Sequence, residues 1–298
     1  MPSQNEIRKQ LTDQIITALE QDILPWRKTW ISTTNSGRAA NVASQKPYRG
    51  MNPLLLEIHA QQHGFRSKWW GTYLQWQQLG CQVQKRPNGV PQGRWGSQIL
   101  FFKPITKTVV KNGLEEEESF RLLNIYTVFN ADQVNGSERF QVGEEPIGTT
   151  EPSFQPAEDL IANSEAEIRY GGDRAFYSPS GDYIQMPPKS SFVSEGAFYE
   201  TIFHELGHWS ELRLDWHGSY EQGELVAEMA ACYLSTELGI PQERLENHAA
   251  YLKSWLQSMR GDTNWIFKAS TQASKVADYL LAFASQEVPM NDLELVPF

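Results

Sequence analysis

Apolar residues repeat at helical spacing near the start of the chain. Ile7, Leu11, Ile15 and Leu19 recur at every fourth position, which predicts an amphipathic helix from about Gln4 to Gln21. A Ser219-x-x-Gln222 capping box predicts another helix that begins near Tyr220. The remaining predicted helices are Pro53 to Gln62, Tyr73 to Leu79 and Phe198 to Leu212.

Other segments alternate apolar and polar residues between turn signals, as strands do. The predicted strands of the N-terminal half are Gln82 to Lys85, Gln98 to Lys103 and Leu122 to Asn130. Asn112-Gly113 predicts a hairpin turn, and we expect the acidic run Glu115 to Glu118 at its solvated tip. Gly181 to Pro188 alternates and ends at prolines, which is typical of an edge strand. Such a strand beside an active-site helix can receive a peptide by strand addition, or it can be an ordinary edge strand.

These elements predict an α+β protein of two domains. The chain has 298 residues, which is enough for two ordinary domains. We place the first domain at residues 1–135 and the second at residues 153–298. The segment between them, 136–152, is rich in glycine and proline and is interpreted as a linker.

Charge divides the chain near residue 114. The formal net charge is -10, but residues 1–114 carry +10 and residues 115–298 carry -20. This asymmetry indicates two functional halves, one of which faces polyanions. Opposite charges on the two halves could also attract each other within one molecule.

Tryptophan is concentrated in the basic half, where six of the ten lie within the first 95 residues among interleaved arginines and lysines. Cations that follow a backbone and flat rings on which bases stack are what single-stranded nucleic acid requires. The alternative is that these rings belong to the core and are covered by arginine and lysine stems. The candidate nucleic-acid contacts are Trp26, Arg27, Lys28, Trp30, Tyr48, Arg49, Lys68, Trp69 and Trp70.

The strongest chemical signal is His204-Glu205-Leu206-Gly207-His208, on the predicted helix Phe198 to Leu212. Residues i and i+4 share a helical face, so His204 and His208 can bind one metal ion. Glu205 lies about 100° round the helix axis, where a carboxylate can take a proton from an attacking water. The motif predicts a hydrolytic zinc site. The alternative is an ordinary helix with one packed and one exposed histidine.

A third ligand is expected from the following helix, because three protein ligands and one open position make a catalytic site. Glu224 and Glu228 lie four residues apart on one face of that helix. We assign Glu224 as the ligand, and Glu228 as the acceptor of the spare N–H of a ligand histidine. The spacing also allows the reverse assignment, or two solvated carboxylates.

Cysteine content and hydropathy indicate the cellular compartment of the protein. Cys81 and Cys232 form no C-x-x-C pattern, which favours a reducing compartment over a disulfide framework. The N-terminus has no apolar signal region, and no apolar run approaches the roughly 18 residues of a membrane span. We therefore expect a cytoplasmic protein without a membrane span, and a monomer.

The motifs resemble those of the ArdC-type antirestriction proteins of conjugative plasmids over nearly the whole length. The N-terminal part is similar to the family's single-stranded-DNA-binding domain, and the C-terminal part to its zincin-like metallopeptidase domain. The N-terminal motifs are Pro25-Trp26-Arg27-Lys28-Thr29-Trp30, Tyr48-Arg49-Gly50-Met51-Asn52, Trp70-Gly71-Thr72 and Val128-Phe129-Asn130-Ala131-Asp132-Gln133. The C-terminal motifs are Asp182-Tyr183-Ile184-Gln185-Met186-Pro187, His204 to Trp209, Glu224-Leu225-Val226-Ala227-Glu228 and His248-Ala249-Ala250-Tyr251.

The resemblance implies protection of incoming plasmid DNA from restriction, by a protein that binds single-stranded DNA and carries a gluzincin-like site. Members often carry paired acids before Leu225-Val226-Ala227-Glu228, and Gly223 replaces the first one here, which points to Glu224 as the ligand.

The expected cofactor is one Zn²⁺ per chain, or another divalent ion such as Mn²⁺, and the expected partners are single-stranded DNA and an unidentified protein substrate. Glu205 is the expected catalytic base, and Tyr220, His217, His248 or Tyr251 could stabilise the oxyanion.

A second hypothesis is a DNA-binding protection protein whose metal site is structural or vestigial. The intact Glu205 favours the protease. A metal-dependent nuclease would more often use carboxylate-bound Mg²⁺.

Overall fold

A computed structural model describes residues 3–27, 34–111, 114–143, 154–242 and 248–284. The helices are α1 (Gln4–Glu20), α2 (Met51–His63), α3 (Tyr73–Gln78), α4 (Gln155–Asn163), α5 (Glu195–Arg213), α6 (Tyr220–Glu237), α7 (His248–Gly261) and α8 (Trp265–Ala284). The strands are β1 (Ala40–Asn41), β2 (Trp69–Gly71), β3 (Gln82–Val83), β4 (Ser97–Lys111), β5 (Leu114–Asn130), β6 (Val134–Asn135), β7 (Glu167–Tyr170), β8 (Phe176–Ser178) and β9 (Tyr183–Met186). The α+β prediction is confirmed.

Serine caps explain where the principal helices begin. Ser3 and Glu6 form a complete capping box at α1, and Ser194 accepts a hydrogen bond from the Ala197 amide at α5. At α6, Ser219 accepts from the Gln222 amide as predicted. The Gln222 side chain does not return a hydrogen bond to the Ser219 amide, as it would in a complete capping box. It donates instead to the Trp265 carbonyl at 2.8 Å and so links α6 to α8.

A long hairpin dominates the N-terminal half. Strand β4 pairs antiparallel with β5 from Ser97 opposite Val128 to Lys111 opposite Leu114, in a four-stranded sheet of order β1-β2-β5-β4. The acidic residues predicted at a solvated tip lie within β5 instead, where Glu115 to Glu118 pair with Lys107 to Val110. The Asn112-Gly113 turn lies outside the described residues.

The C-terminal half packs α5, α6 and α8 together beside a three-stranded sheet of order β7-β9-β8. The predicted edge strand, β9, is the central strand of this sheet, so that prediction is wrong. It pairs parallel with β7 and antiparallel with β8. The closing prolines are compatible with this position because they lie beyond Met186, after the paired register ends.

One hydrophobic cluster runs through both halves of the chain. It joins Ile15 of α1 and Leu54 of α2 to Phe203 of α5, Leu225 of α6 and Ala273 of α8, all of them completely buried. The halves therefore share a core, although the sequence predicts two domains joined by a linker. Residues 144–152 of that linker lie outside the described residues.

Ion pairs also cross between the halves. Arg38 is buried and lies 3.3 Å from Glu237 and 2.9 Å from Asp278. Arg49 lies 2.7 Å from the other oxygen of Asp278. Part of the charge asymmetry in the sequence is thus neutralised inside the molecule. In the described part of the chain, no helix combines the length and the apolar character needed to cross a membrane.

Candidate metal centre

The two motif histidines converge on one face of α5. Their Nε2 atoms are 3.2 Å apart, and both side chains remain partly exposed. Helical periodicity places His204 and His208 one turn apart, as the motif predicts. Two imidazole nitrogens therefore point toward a common position that solvent can reach.

Glu224 completes the cluster from α6. Its carboxylate oxygens lie 3.5 Å from His204 Nε2 and 3.6 Å from His208 Nε2. The potential ligand atoms of these three residues all lie within 4.8 Å of one another. Two nitrogen donors and one carboxylate form a donor set suited to Zn²⁺ or a similar divalent ion.

The close approach of α5 to α6 depends on Gly207. A Cβ built at this position would lie 3.0 Å from the Ala227 Cα and 3.1 Å from its Cβ. The glycine inside the motif thus lets the helix that carries the histidines contact the helix that carries Glu224. Small residues at such a crossing allow two backbones to pack closely.

Glu205 is buried beside the histidines, with 8% of its surface exposed. Burial raises the pKa of its carboxyl group, while the positive charges of His204 and His208 act in the opposite direction. The backbone amide of Tyr177 in β8 also hydrogen-bonds to this carboxylate. The side chain therefore adjoins the cluster without belonging to it, as the sequence predicts for a general base.

Glu211 orients His208, a role that the sequence motifs do not reveal. Its carboxylate lies 3.0 Å from His208 Nδ1, the nitrogen that faces away from the cluster. A carboxylate at this nitrogen fixes the tautomer and direction of a ligand histidine. Gly223 leaves room for it, since a Cβ at that position would lie 2.9 Å from Glu211 Oε1. The available signal was the i, i+3 spacing of His208 and Glu211 on one helix.

Glu228 forms a buried ion pair rather than joining the cluster. It lies 3.5 Å from Arg27, which lies 2.8 Å from Glu200 of α5. The structure therefore favours Glu224 over Glu228 as the carboxylate ligand. The predicted acceptor role of Glu228 is filled at His208 by Glu211.

The candidate oxyanion donors occupy different positions. The Tyr220 hydroxyl hydrogen-bonds to Glu224 and lies 3.2 Å from that of Tyr251. His217 is exposed and pairs with Asp215 in a loop. The side chain of His248 lies outside the described residues. Tyr220 and Tyr251 are thus the candidates placed beside the cluster.

Three of the predicted DNA contacts face the core, contrary to the prediction. Trp26 is 2% exposed and packs edge-on against Trp255, and Trp70 is 1% exposed. Arg27 forms ion pairs with the buried carboxylates of Glu200 and Glu228. Rings and cations in these positions cannot meet a base, because their surfaces are covered by protein. Lys28 and Trp30 lie outside the described residues.

The remaining predicted contacts are accessible to different degrees. Tyr48 is half-buried and its hydroxyl accepts from the Asn41 amide, while Arg49 is about half exposed and pairs with Asp278. Lys68 lies over the partly exposed ring of Trp69, with its Nζ 4.9 Å from the ring centroid. Of the predicted set, Lys68 and Trp69 form the best surface for a base.

That surface continues into the segment 136–152, which its glycine and proline content predicts to be a linker. The rings of Trp69 and Phe140 meet edge-to-face at 6.0 Å, and the exposed Arg139 lies over Phe140 at 4.7 Å. Two cations therefore flank two adjoining aromatic rings. Sequence reasoning missed Arg139 and Phe140 because they follow the strand-rich region by several positions and carry no motif.

Comparison with known proteins identifies both halves. Residues 5–129 match the N-terminal domain of anti-restriction factor ArdC. Residues 155–272 match the zincin-like metallopeptidase family. The two-domain assignment is confirmed at this level, with an ArdC-type N-terminal domain and a zincin-like C-terminal domain.

One similar protein matches over nearly its whole length, and another is much longer than this chain. An uncharacterized protein, y4eC of Sinorhizobium fredii (strain NBRC 101917 / NGR234), is 34% identical, and the match covers 93% of this chain and 92% of that protein. The DNA primase TraC of Escherichia coli is 33% identical over 93% of this chain, which spans only 20% of TraC.

A solved structure resembles the whole chain. The metal-free crystal structure of the antirestriction protein ArdC from plasmid R388 is 33% identical, with a TM-score of 0.76 and coverage of 95% of this chain and 100% of that one. The Mn(II)-bound structure of the same protein gives a TM-score of 0.71 at 94% and 99% coverage. This chain therefore belongs to the ArdC family of antirestriction proteins.

Proposed function

We propose that this chain protects incoming DNA in the cytoplasm of a recipient cell, binds single-stranded DNA with its N-terminal half, and cleaves a protein at a divalent-metal centre. The observation that carries the peptidase is the cluster of His204, His208 and Glu224 with Glu205 buried beside it. Family membership supports the antirestriction role. The Mn(II)-bound form of the R388 relative supports a divalent ion.

His204, His208 and Glu224 would hold one ion per chain, Zn²⁺ or another divalent metal such as Mn²⁺. A divalent ion there would polarise a scissile carbonyl and lower the pKa of an attacking water. Glu205 takes the proton from that water and passes it to the leaving amine. The Tyr220 hydroxyl, beside Glu224, can donate a hydrogen bond to the developing oxyanion.

The substrate peptide would add to β8 rather than to the strand that the sequence suggested. Among the described strands, β8 is an edge of its sheet, and the Tyr177 amide within it reaches Glu205. Asp182 fixes this edge to α5, since it accepts hydrogen bonds from Tyr177 at 2.9 Å and from Arg213 at 2.9 and 3.1 Å. An extended peptide paired with β8 would thus lie along the cluster.

Single-stranded DNA would contact Lys68, Trp69, Arg139 and Phe140. Stacking on aromatic rings tolerates any base, so the proposed binding has little sequence preference. Affinity for single strands should exceed that for duplex and fall as salt rises, with a log–log slope of about -0.7 per phosphate neutralised. Fluorescence anisotropy on Trp69→Ala and Arg139→Ala should show weaker binding. Lys275→Ala, which removes an exposed cation of α8, is the control expected to bind as wild type. Equal affinity for duplex and single strands would contradict the proposed preference. Unchanged binding by Trp69→Ala would show that DNA binds at another surface.

A restriction-protection assay in recipient cells tests whether proteolysis is the mechanism. Glu205→Ala should retain metal and DNA binding but lose protection, because only the proton transfer is removed. Full protection by this variant would refute the protease mechanism. DNA binding would then be the protective activity, with a structural or vestigial metal centre.

A further inference from the structure

A buried arginine from the N-terminal half connects the two helices that carry the metal-binding cluster. The Arg27 Nη2 atom lies 2.8 Å from Glu200 Oε1 on α5 and 3.5 Å from Glu228 Oε1 on α6. The three side chains are at most 7% exposed. One nitrogen of one side chain thus contacts both helices.

These contacts lie one helical turn from the cluster on each helix. Glu200 precedes His204 by four residues, and Glu228 follows Glu224 by four. Residues at this spacing share a helical face, so the ion pairs adjoin the cluster on both helices. Two potential ligands come from α5 and one from α6, and their geometry therefore depends on the spacing of these helices.

Charge explains why the arginine matters to that spacing. Both carboxylates contact the same nitrogen, so they also lie close to each other. In a buried environment, two negative charges repel strongly unless a cation compensates them. Without the guanidinium, the repulsion would act to separate α5 from α6 next to the cluster.

We propose that Arg27 is a positioning residue of the metal centre. By joining Glu200 to Glu228, it holds α5 and α6 at the spacing at which His204, His208 and Glu224 bind a divalent cation. The N-terminal half thereby contributes to metal binding without supplying a ligand. This inference rests on the metal centre of the proposed function.

Metal affinity of the full-length chain provides the test. Arg27→Met keeps most of the stem and removes the charge, and we expect its dissociation constants for Mn²⁺ and Zn²⁺, measured by chelator competition, to rise by about 10- to 100-fold. Arg27→Lys restores a cation and should recover part of the affinity. Glu200→Gln is a milder change that should weaken metal binding severalfold. It tests the same bridge if Arg27→Met does not fold.

Arg38→Met is the matched control. Arg38 is another buried arginine that joins the halves, but its partner on α6, Glu237, lies at the opposite end of that helix from Glu224. This variant should lower Tm while leaving the metal dissociation constants unchanged. Equal losses of metal affinity in Arg38→Met and Arg27→Met, or unchanged affinity in Arg27→Met and Glu200→Gln, would overturn the proposal. Absence of metal binding by wild type would instead refute the metal centre itself.

Discussion

At the scale of single residues, the proposed mechanism assigns metal binding and proton transfer to different side chains. His208 supplies a nitrogen to the cluster, whereas Glu205 adjoins it. We predict that His208→Ala loses the metal, and that Glu205→Gln retains about one equivalent per chain but loses peptidase activity. Metal analysis of the purified variants measures the first property. Full occupancy in His208→Ala would show that the ligand assignment is wrong.

Glu211 supports a second prediction at this scale. Its carboxylate holds His208 Nδ1 at 3.0 Å, and loss of such a partner typically costs about 10- to 100-fold in metal affinity. Glu211→Gln should therefore bind Zn²⁺ more weakly than wild type in a chelator competition. Glu221→Gln removes an exposed acid of α6 and is the matched control. Identical Zn²⁺ dissociation constants for the two variants would show that Glu211 does not contribute to metal binding.

Single residues also show which parts of the candidate site can be predicted from the sequence and which cannot. The metal cluster could be predicted because its two histidines and their base are neighbours on one helix, and helical spacing fixes their geometry. Arg27 could not be placed, because its partner Glu200 lies 173 positions away. Composition suggests that a cation faces DNA, but it does not reveal which carboxylates the fold brings to that cation.

At the scale of elements, the contact between α5 and α6 determines the cluster. Gly207 faces Ala227 so closely that an added methyl group would meet the α6 backbone at 3.0 Å. Backbone cannot move aside as a flexible side chain can, so we predict that Gly207→Ala separates the helices. The expected result is weaker metal binding together with a loss of stability of roughly 1–3 kcal/mol, typical of overpacking.

Calorimetry with and without Mn²⁺ checks both effects of Gly207→Ala. Gly261→Ala, at the end of α7 where a Cβ would meet nothing within 4 Å, is the control and should behave as wild type. Wild-type metal affinity in Gly207→Ala would show that the cluster tolerates a wider helix spacing.

The accuracy of the element predictions depended on how local the signal was. The four helices predicted with both ends lie within three residues of their predicted bounds, since their periodicity and caps are contained in the segment itself. The sequence predicts β9 at an edge, because alternation and terminal prolines describe one strand and not its neighbours. Its partner β8 has three residues, too few for a recognisable pattern.

At the scale of the whole molecule, the two family domains behave as one packing unit. α1 packs against α7, and the main hydrophobic cluster includes Ile15, Leu54 and Ala273 from both halves. Arg38 and Arg49 pair with Asp278 of α8 across the same boundary. The opposite charges that the sequence separates thus stabilise the contact between the halves.

A shared core predicts that the full chain unfolds in one cooperative transition. A ligand that binds only the folded state stabilises it by about 2.7 kcal/mol at a concentration one hundred times its Kd. Because the halves unfold together, Mn²⁺ should raise the Tm of the entire transition, including the fluorescence change of the N-terminal tryptophans. Residues 1–135 alone lack α7 and α8, so they should show a broad, weakly cooperative transition. Differential scanning calorimetry and tryptophan fluorescence on the same sample decide the matter. Two resolved transitions, with only the later one sensitive to Mn²⁺, would mean that the halves fold independently despite their common core.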